Sequence, residues 1–177
     1  MTPAPASPSR ILLIQPSSGA LAVIARRLAE AGHRVVSCDA PAQAVAELHR
    51  ASVDLVLAEI RMVPVSGVEL TRLVRDDSAL RDTPVILIGG RSDAGGAIAG
   101  FAAGADDVVA KPFDFDLLLA RIDRALRRAK AVRQLKADNA TLDARVIERA
   151  VQLGETRMAL AESEAERRRL ERMVMRA

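Results

Sequence analysis

The sequence predicts an α/β fold in which a doubly wound parallel sheet is covered by helices on both faces. Short apolar runs alternate with amphipathic stretches at helical spacing, and five such strand–helix pairs follow one another along the chain. The strand runs are almost continuous in Val, Leu and Ile, as expected when both faces of a strand are buried. The connections between neighbouring parallel strands are then expected to be right-handed.

Turn-forming residues mark the boundaries of these elements. The predicted strands cover residues 11–15, 34–38, 53–59, 84–88 and 107–110. The predicted helices cover residues 17–31, 41–51, 66–77 and 93–103, and a fifth helix begins near residue 115. Ser17 precedes the first helix, Gly32 follows it, and Pro41 lies in the first turn of the second helix.

The last 60 or so residues predict one long helix, because they contain no proline and a single glycine, Gly154. Apolar residues recur in part at the a and d positions of a heptad, which predicts a parallel homodimeric coiled coil with a weakened middle. Asn139 falls at an a position, where a buried Asn favours a two-stranded register, although it could equally lie on a solvated face. The predicted dimer interface comprises Val132, Leu135, Asn139, Leu142, Val146, Leu153, Leu160, Leu170 and Val174.

Charge and composition divide the chain into three predicted parts. Residues 1–9, rich in Pro, Ala and Ser, are expected to be a disordered tail, residues 10–127 a folded domain, and residues 128–177 the coiled coil. Residues 1–117 hold 11 Lys or Arg and 14 Asp or Glu, a net charge of −3. Residues 118–177 hold 15 Lys or Arg and 9 Asp or Glu, a net charge of +6. This asymmetry supports a boundary near residue 117.

The composition argues against several classes of function. With three Phe and no Trp or Tyr, the chain lacks the aromatic residues of a base-stacking module, so nucleic acid is not an expected partner. The basic end favours a solvated face over an acidic partner, a nucleotide phosphate or nucleic acid, because its arginines are interleaved with acids. The arginines are Arg167, Arg168, Arg169, Arg172 and Arg176, and the acids are Glu162, Glu164, Glu166 and Glu171. Cys38 is the single cysteine, and no Cys/His cluster has metal-ligand spacing, so we expect neither a disulfide nor a metal. No signal peptide or apolar run of about 18 residues is visible, which predicts a cytoplasmic protein with no membrane partner.

Three segments in order carry a resemblance to a known family. They are residues 54–62 with the following 66–70, residues 83–90, and residues 104–113, which end in Lys-Pro-Phe. Together they resemble a response-regulator receiver domain over residues 10–127. The resemblance implies a flavodoxin-like five-stranded sheet of order 2-1-3-4-5, a role in two-component signalling, and a histidine kinase or output module as partner.

The resemblance also implies a phosphorylation site at the carboxyl ends of the strands. The family's phosphate-accepting aspartate corresponds here to Glu59. The two acids with which the family holds Mg²⁺ correspond to Gln15 and Pro16, and neither side chain can supply a carboxylate. The extra methylene of Glu59 also moves its carboxylate by more than an ångström, and misplacement on about that scale can cost roughly a hundredfold in rate.

The residues that report phosphorylation in the family are altered as well. The hydroxyl residue after the fourth strand corresponds to Gly89, and the aromatic switch residue of the fifth strand corresponds to Val108. Only Lys111 is retained. Glu59 could mimic the activated state by reaching Lys111, or it could be a solvated acid at a strand end.

The predicted function is therefore a phosphorylation-independent receiver-like signalling module with no catalytic residue and no cofactor. It would dimerise through its coiled coil and act by protein–protein interaction. The helical tail resembles the signalling-helix linkers that lead to output domains. The alternative is thus a regulatory N-terminal fragment of a larger signalling enzyme, such as a cyclic-di-GMP phosphodiesterase, a diguanylate cyclase or a histidine kinase.

Overall fold

The computed structural model describes residues 8–175. Most of the predicted disordered tail, residues 1–7, lies outside the described residues. The described chain forms five strands and five helices in strict alternation: β1 Arg10–Ile14, α1 Ser18–Glu30, β2 Arg34–Cys38, α2 Pro41–Arg50, β3 Leu55–Glu59, α3 Gly67–Asp76, β4 Val85–Gly90, α4 Ala94–Ala102, β5 Asp107–Lys111 and α5 Phe115–Val174.

The five strands form one parallel sheet in the order β2-β1-β3-β4-β5. This topology confirms the predicted doubly wound fold, and the ends of the predicted strands and helices agree with the structure to within two residues. β3 begins at Leu55 rather than at residue 53, and β1 ends at Ile14, so that Gln15 lies just beyond the strand.

Side-chain caps fix the start of three helices. Ser17 accepts a hydrogen bond from the backbone N–H of Ala20 at the start of α1. Ser66 and Glu69 form a reciprocal capping box at the start of α3, and the hydrogen bond from the Ser66 backbone lowers the pKa of the Glu69 carboxyl. Asp93 caps α4 by accepting from the backbone N–H of Gly96 at 3.1 Å.

Alternating strand residues fill two cores, one on each face of the sheet. The first core contains Leu12, Val56 and Leu87 and is closed mainly by residues of α2 and α3. The second contains Leu13 and Leu57 and is closed by α1 and the first turns of α5. Both faces of β3 are therefore covered, and all five of its residues are buried.

Helix α5 runs for 60 residues, and the chain divides into two compact units within it, between Val132 and Arg133. In the first unit, Leu118, Ile122 and Ala129 anchor the beginning of α5 in the core. In the second unit every described residue is exposed. The boundary between residues 127 and 128 remains a prediction.

None of the helices among residues 8–175 combines the length and the apolar composition that a membrane-spanning helix needs.

Candidate functional site

Three polar residues meet at the carboxyl edge of the sheet because their parallel strands end there together. Gln15 follows β1, Glu59 is the last residue of β3, and Lys111 is the last residue of β5. Glu59 Oε2 accepts hydrogen bonds from Lys111 Nζ and from Gln15 Nε2, the latter at 2.8 Å. Gln15 Oε1 in turn accepts from the backbone N–H of Ser17, at 3.2 Å. The sequence-predicted contact between Glu59 and Lys111 is therefore present.

The Glu59 carboxylate is shielded from solvent. The residue is 9% exposed, and Gln15 is 2% exposed. The interpretation of Glu59 as a solvated acid is therefore wrong. Its ion pair with Lys111 is part-buried, because the Glu59 side chain is 12% exposed and the Lys111 side chain 37%. The reason lies in the fold: β3 is an inner strand, and Gln15 covers the carboxylate from the side of β1.

The donor set at this edge does not fit a hard divalent cation such as Mg²⁺. Such ions take several oxygen ligands, of which carboxylates are the strongest. Pro16 has no side-chain donor, Gln15 Oε1 is occupied by Ser17 N–H, and Glu59 Oε2 already accepts two hydrogen bonds. Among residues 8–175, no three His, Cys, Asp or Glu side chains are grouped to hold a metal ion.

Gly89 lies beside Ile60, which fills the space that a side chain at residue 89 would need. A Cβ atom on Gly89 would approach Ile60 Cδ1 to 2.6 Å, well inside van der Waals contact. On the neighbouring Gly90, a Cβ atom would meet nothing within 4 Å. Ile60 thus occupies the space that a hydroxyl side chain at residue 89 would need.

Comparison with known proteins decides the family. The profile of the response regulator receiver domain matches residues 11–123, which is most of the chain. The chain belongs to the response regulator receiver family.

The relatives and the solved structures agree with this assignment. The chain is 32% identical over 143 residues to the cell cycle transcriptional regulator CtrA of Caulobacter vibrioides, covering 78% of this chain and 61% of that protein. It is 36% identical over 90 residues to the response regulator ArlR of Staphylococcus aureus, covering 51% of this chain and 40% of that protein. A receiver domain protein from Clostridium thermocellum superposes with a TM-score of 0.66 at 25% identity, covering 70% of this chain and 98% of that one. The chain thus spans only part of these curated relatives. CtrA is a transcriptional regulator, so this comparison does not support the expectation that the chain has no nucleic-acid partner.

Sequence reasoning missed a second ion pair near the receiver site. Arg61, two residues after Glu59, donates to both carboxylate oxygens of Asp93, from Nε at 2.9 Å and from Nη2 at 2.7 Å. These hydrogen bonds lower the pKa of Asp93, which also caps α4. The pair therefore ties the loop after β3 to the start of α4. The capping role of Asp93 was readable from its place before a helix, but its partner 32 residues away carried no sequence signal.

The face formed by α4 and β5 is apolar and partly open. A cavity of about 140 Å³ lies beside α4, where its lining includes Gly89, Phe101 and Val108. Ile98 and Phe101 of α4 are exposed, and Phe101 lines the cavity. Val108 is small for the place where the family carries an aromatic switch residue, and Gly89 contributes no side chain. We call the surface formed by Ile98, Phe101 and the adjoining cavity the α4 face.

Proposed function

We propose that this receiver is a cytoplasmic, phosphorylation-independent signalling module that acts by protein–protein interaction and dimerises through α5. The observation that carries the proposal is the Glu59 carboxylate. It occupies the place of the phosphate-accepting side chain and is already bound to Lys111 and Gln15. The lysine that would contact an incoming phosphoryl group thus has an anionic partner within the chain.

The chemistry of phosphoryl transfer supports the same proposal. Attack by a carboxylate on an anionic phosphoryl group needs cations to neutralise the charge and hold the oxygens in line. Gln15 and Pro16 supply no anionic ligand for such a cation. Neither Gly89 nor Val108 offers the side chain that relays phosphorylation in the family. A phosphoryl group would therefore lack the side chains through which it shifts the conformational equilibrium in other members.

The α4 face supports an interaction role for the receiver. Exposed large apolar residues next to a cavity are typical of surfaces that bind other proteins. We propose that a signalling partner, either a histidine kinase or an output module, docks at this face.

Incubation with acetyl phosphate and Mg²⁺, followed by intact-mass measurement, tests the lack of phosphorylation. We expect no phosphoryl adduct, whereas a receiver with the full acidic set, treated in parallel, should gain one. Glu59→Asp alone should not restore the adduct, because Gln15 and Pro16 still leave the cation without carboxylates. A single stoichiometric adduct on the parent chain would disprove the proposal.

A second candidate is that the chain is the regulatory receiver part of a longer signalling protein. The observation in its favour is that the chain spans 61% of CtrA and 40% of ArlR. The output could then be a transcriptional regulator's nucleic-acid-binding module or an enzymatic one. Mass measurement of the native protein, isolated with an antibody against this receiver, distinguishes the two candidates: a mass near 18.9 kDa supports the stand-alone module.

A further inference from the structure

The exposed part of α5, residues 133–174, has two apolar faces rather than one between residues 137 and 165. The first stripe, as predicted from the heptads, contains polar residues between residues 137 and 165. In that interval it comprises Asn139, Leu142, Val146, Arg149, Leu153, Thr156, Leu160 and Ser163. A second stripe has the same alternating spacing of three and four residues and no polar member. It comprises Ala137, Ala140, Ala144, Ile147, Val151, Gly154, Met158, Ala161 and Ala165.

The two stripes lie on nearly opposite sides of the helix. At about 100° per residue, their centres are roughly 160° apart around the helix axis. All members of the second stripe are exposed, and its three large side chains strongly so: Ile147 is 66% exposed, Val151 56% and Met158 69%. A dimer built on the first stripe would leave these side chains in water.

We propose that a second copy of this chain packs in parallel and in register against the second stripe. The inference rests on the proposed dimerisation and specifies which face of α5 forms the contact. The large side chains would supply buried apolar area, and the alanines and Gly154 would let the two helices approach closely between them.

The residues that a contact on the first stripe would bury argue for the second stripe instead. In a parallel in-register dimer, each a or d residue meets its own copy on the other helix. On the first stripe, Arg149 would meet Arg149, which places two like charges in the interface without a counter-ion on the stripe. On the second stripe, every residue meets an apolar copy.

Charges beside the stripes point the same way. In parallel dimers, the residue just before an a position faces the residue five positions later on the other helix. Beside the second stripe, this arrangement places Arg157 near Glu162 and Glu164 near Arg169, two pairs of opposite charge. One pair of like charge remains there, between Asp143 and Glu148. Glu164 also contacts Arg168 of its own helix at 3.5 Å, an exposed pair that leaves it accessible.

The first stripe has less favourable flanks. There, the same arrangement places Asp138 near Asp143 and Glu166 near Glu171, two pairs of like charge, and no pair of opposite charge. Charges at these flanking positions set partner choice and orientation in coiled coils. Charge complementarity therefore selects a second copy on the second stripe.

Disulfide cross-linking of the full chain tests the contact. Ile147→Cys places a thiol at a d-type position of the second stripe, and Leu142→Cys is its matched control on the first stripe. The parent chain is the blank, because its single cysteine, Cys38, is buried. Under mild oxidation at tens of micromolar protein, we expect most of the Ile147→Cys chain to become covalent dimer. After the same time, Leu142→Cys should be at least about tenfold less cross-linked.

A charge-reversal pair provides a second measurement. Glu162→Arg should weaken dimerisation several-fold in sedimentation equilibrium, and adding Arg157→Glu should restore it, because the opposite charges then face each other again. Cross-linking of Leu142→Cys without Ile147→Cys would overturn the inference while the dimer itself stands. If neither variant cross-links, the parallel contact on the second stripe is wrong, and sedimentation of the parent chain then shows whether the proposed dimerisation fails as well.

Discussion

At the scale of single residues, Glu59 shows how a buried charge can be held without phosphate or metal. A carboxylate removed from water is costly unless charged or polar donors replace its hydration. Lys111 supplies a charge-assisted hydrogen bond, and the Gln15 amide supplies a second. Three strands of the sheet are thereby connected at their carboxyl edge through one side chain.

Glu59→Gln should destabilise the receiver, because it keeps the side-chain volume but removes the negative charge that Lys111 and Gln15 surround. We expect the free energy of unfolding to fall by about 1–3 kcal/mol, the cost of disrupting hydrogen bonds to a charged group. Urea denaturation followed by circular dichroism measures the change. In a double-mutant cycle, Lys111→Gln should lower the free energy of unfolding less in the Glu59→Gln background than in the parent chain. Strict additivity would show that the pair is not coupled.

Asp93 should contribute to the acid sensitivity of the protein. Hydrogen bonds from Arg61 lower its pKa in the folded state, so its contribution to stability is present above the unfolded-state pKa of about 3.9 and is lost as the pH falls through the folded-state value. We expect Asp93→Asn to be less stable than the parent at neutral pH, with the gap between the two closing as the pH is lowered below about 4. Urea titrations between about pH 3 and pH 7 measure how the gap narrows. Arg61→Gln is the matched control and should show the same narrowing, since it removes the cause of the lowered pKa.

These residue-level contacts were the least predictable part of the site. The sequence places Gln15, Glu59 and Lys111 at strand ends, and the rule that parallel strands end together predicts that they lie near one another. It does not predict that Gln15 would turn its amide to Glu59 and bury it, because that depends on side-chain conformations. The Arg61–Asp93 pair depends on two loops meeting, which no local pattern encodes.

At the scale of secondary structure, the close approach of Ile60 to β4 explains the glycine at residue 89 but not the one at residue 90. Ile60 follows β3 and extends over Gly89, whereas Gly90 faces open space. The two neighbouring glycines therefore differ in what surrounds them.

Gly89→Thr, which restores the family's hydroxyl, should therefore destabilise the receiver by about 1–3 kcal/mol through overpacking against Ile60. Thermal and urea denaturation measure the loss. Gly90→Thr is the matched control and should cost much less, since no atom lies near its Cβ position. Adding Ile60→Val removes the clashing Cδ1 and should recover part of the loss. If Gly89→Thr is as stable as the parent, Ile60 is not the obstacle.

The elements themselves were predictable because their signals are local. Apolar runs of four to six residues gave the strands, and Ser17, Ser66 and Asp93 marked the starts of helices whose caps the structure contains. The errors lie at strand ends. Gln15, for example, lies just beyond β1, although its backbone N–H still donates to the Cys38 carbonyl at 3.1 Å. The second apolar stripe of α5 escaped the heptad assignment because its alanines give a weak signal beside the leucines of the first stripe.

At the scale of the whole molecule, the two compact units are stabilised by different means. The receiver unit has two cores closed by helices on both faces of its sheet. In α5, every described residue after Val132 is exposed. A helix of this kind gains stability mainly by packing its apolar faces against another helix.

Ending the chain after Val132 should therefore leave a folded monomer. The truncated chain retains Leu118 and Ile122, by which α5 closes the second core, and the buried Ala129. Its circular dichroism and unfolding midpoint should therefore stay close to those of the receiver in the full chain. Sedimentation velocity at tens of micromolar should show a dimer for the full chain and a monomer, or at most a weak dimer, for the truncated one. A truncated chain that associates as strongly as the full one would instead assign the self-contact to the receiver unit, where the α4 face is the candidate surface. If the α4 face forms that contact, Ile98→Asp should weaken the association, because it replaces an exposed apolar residue of that surface by a charge.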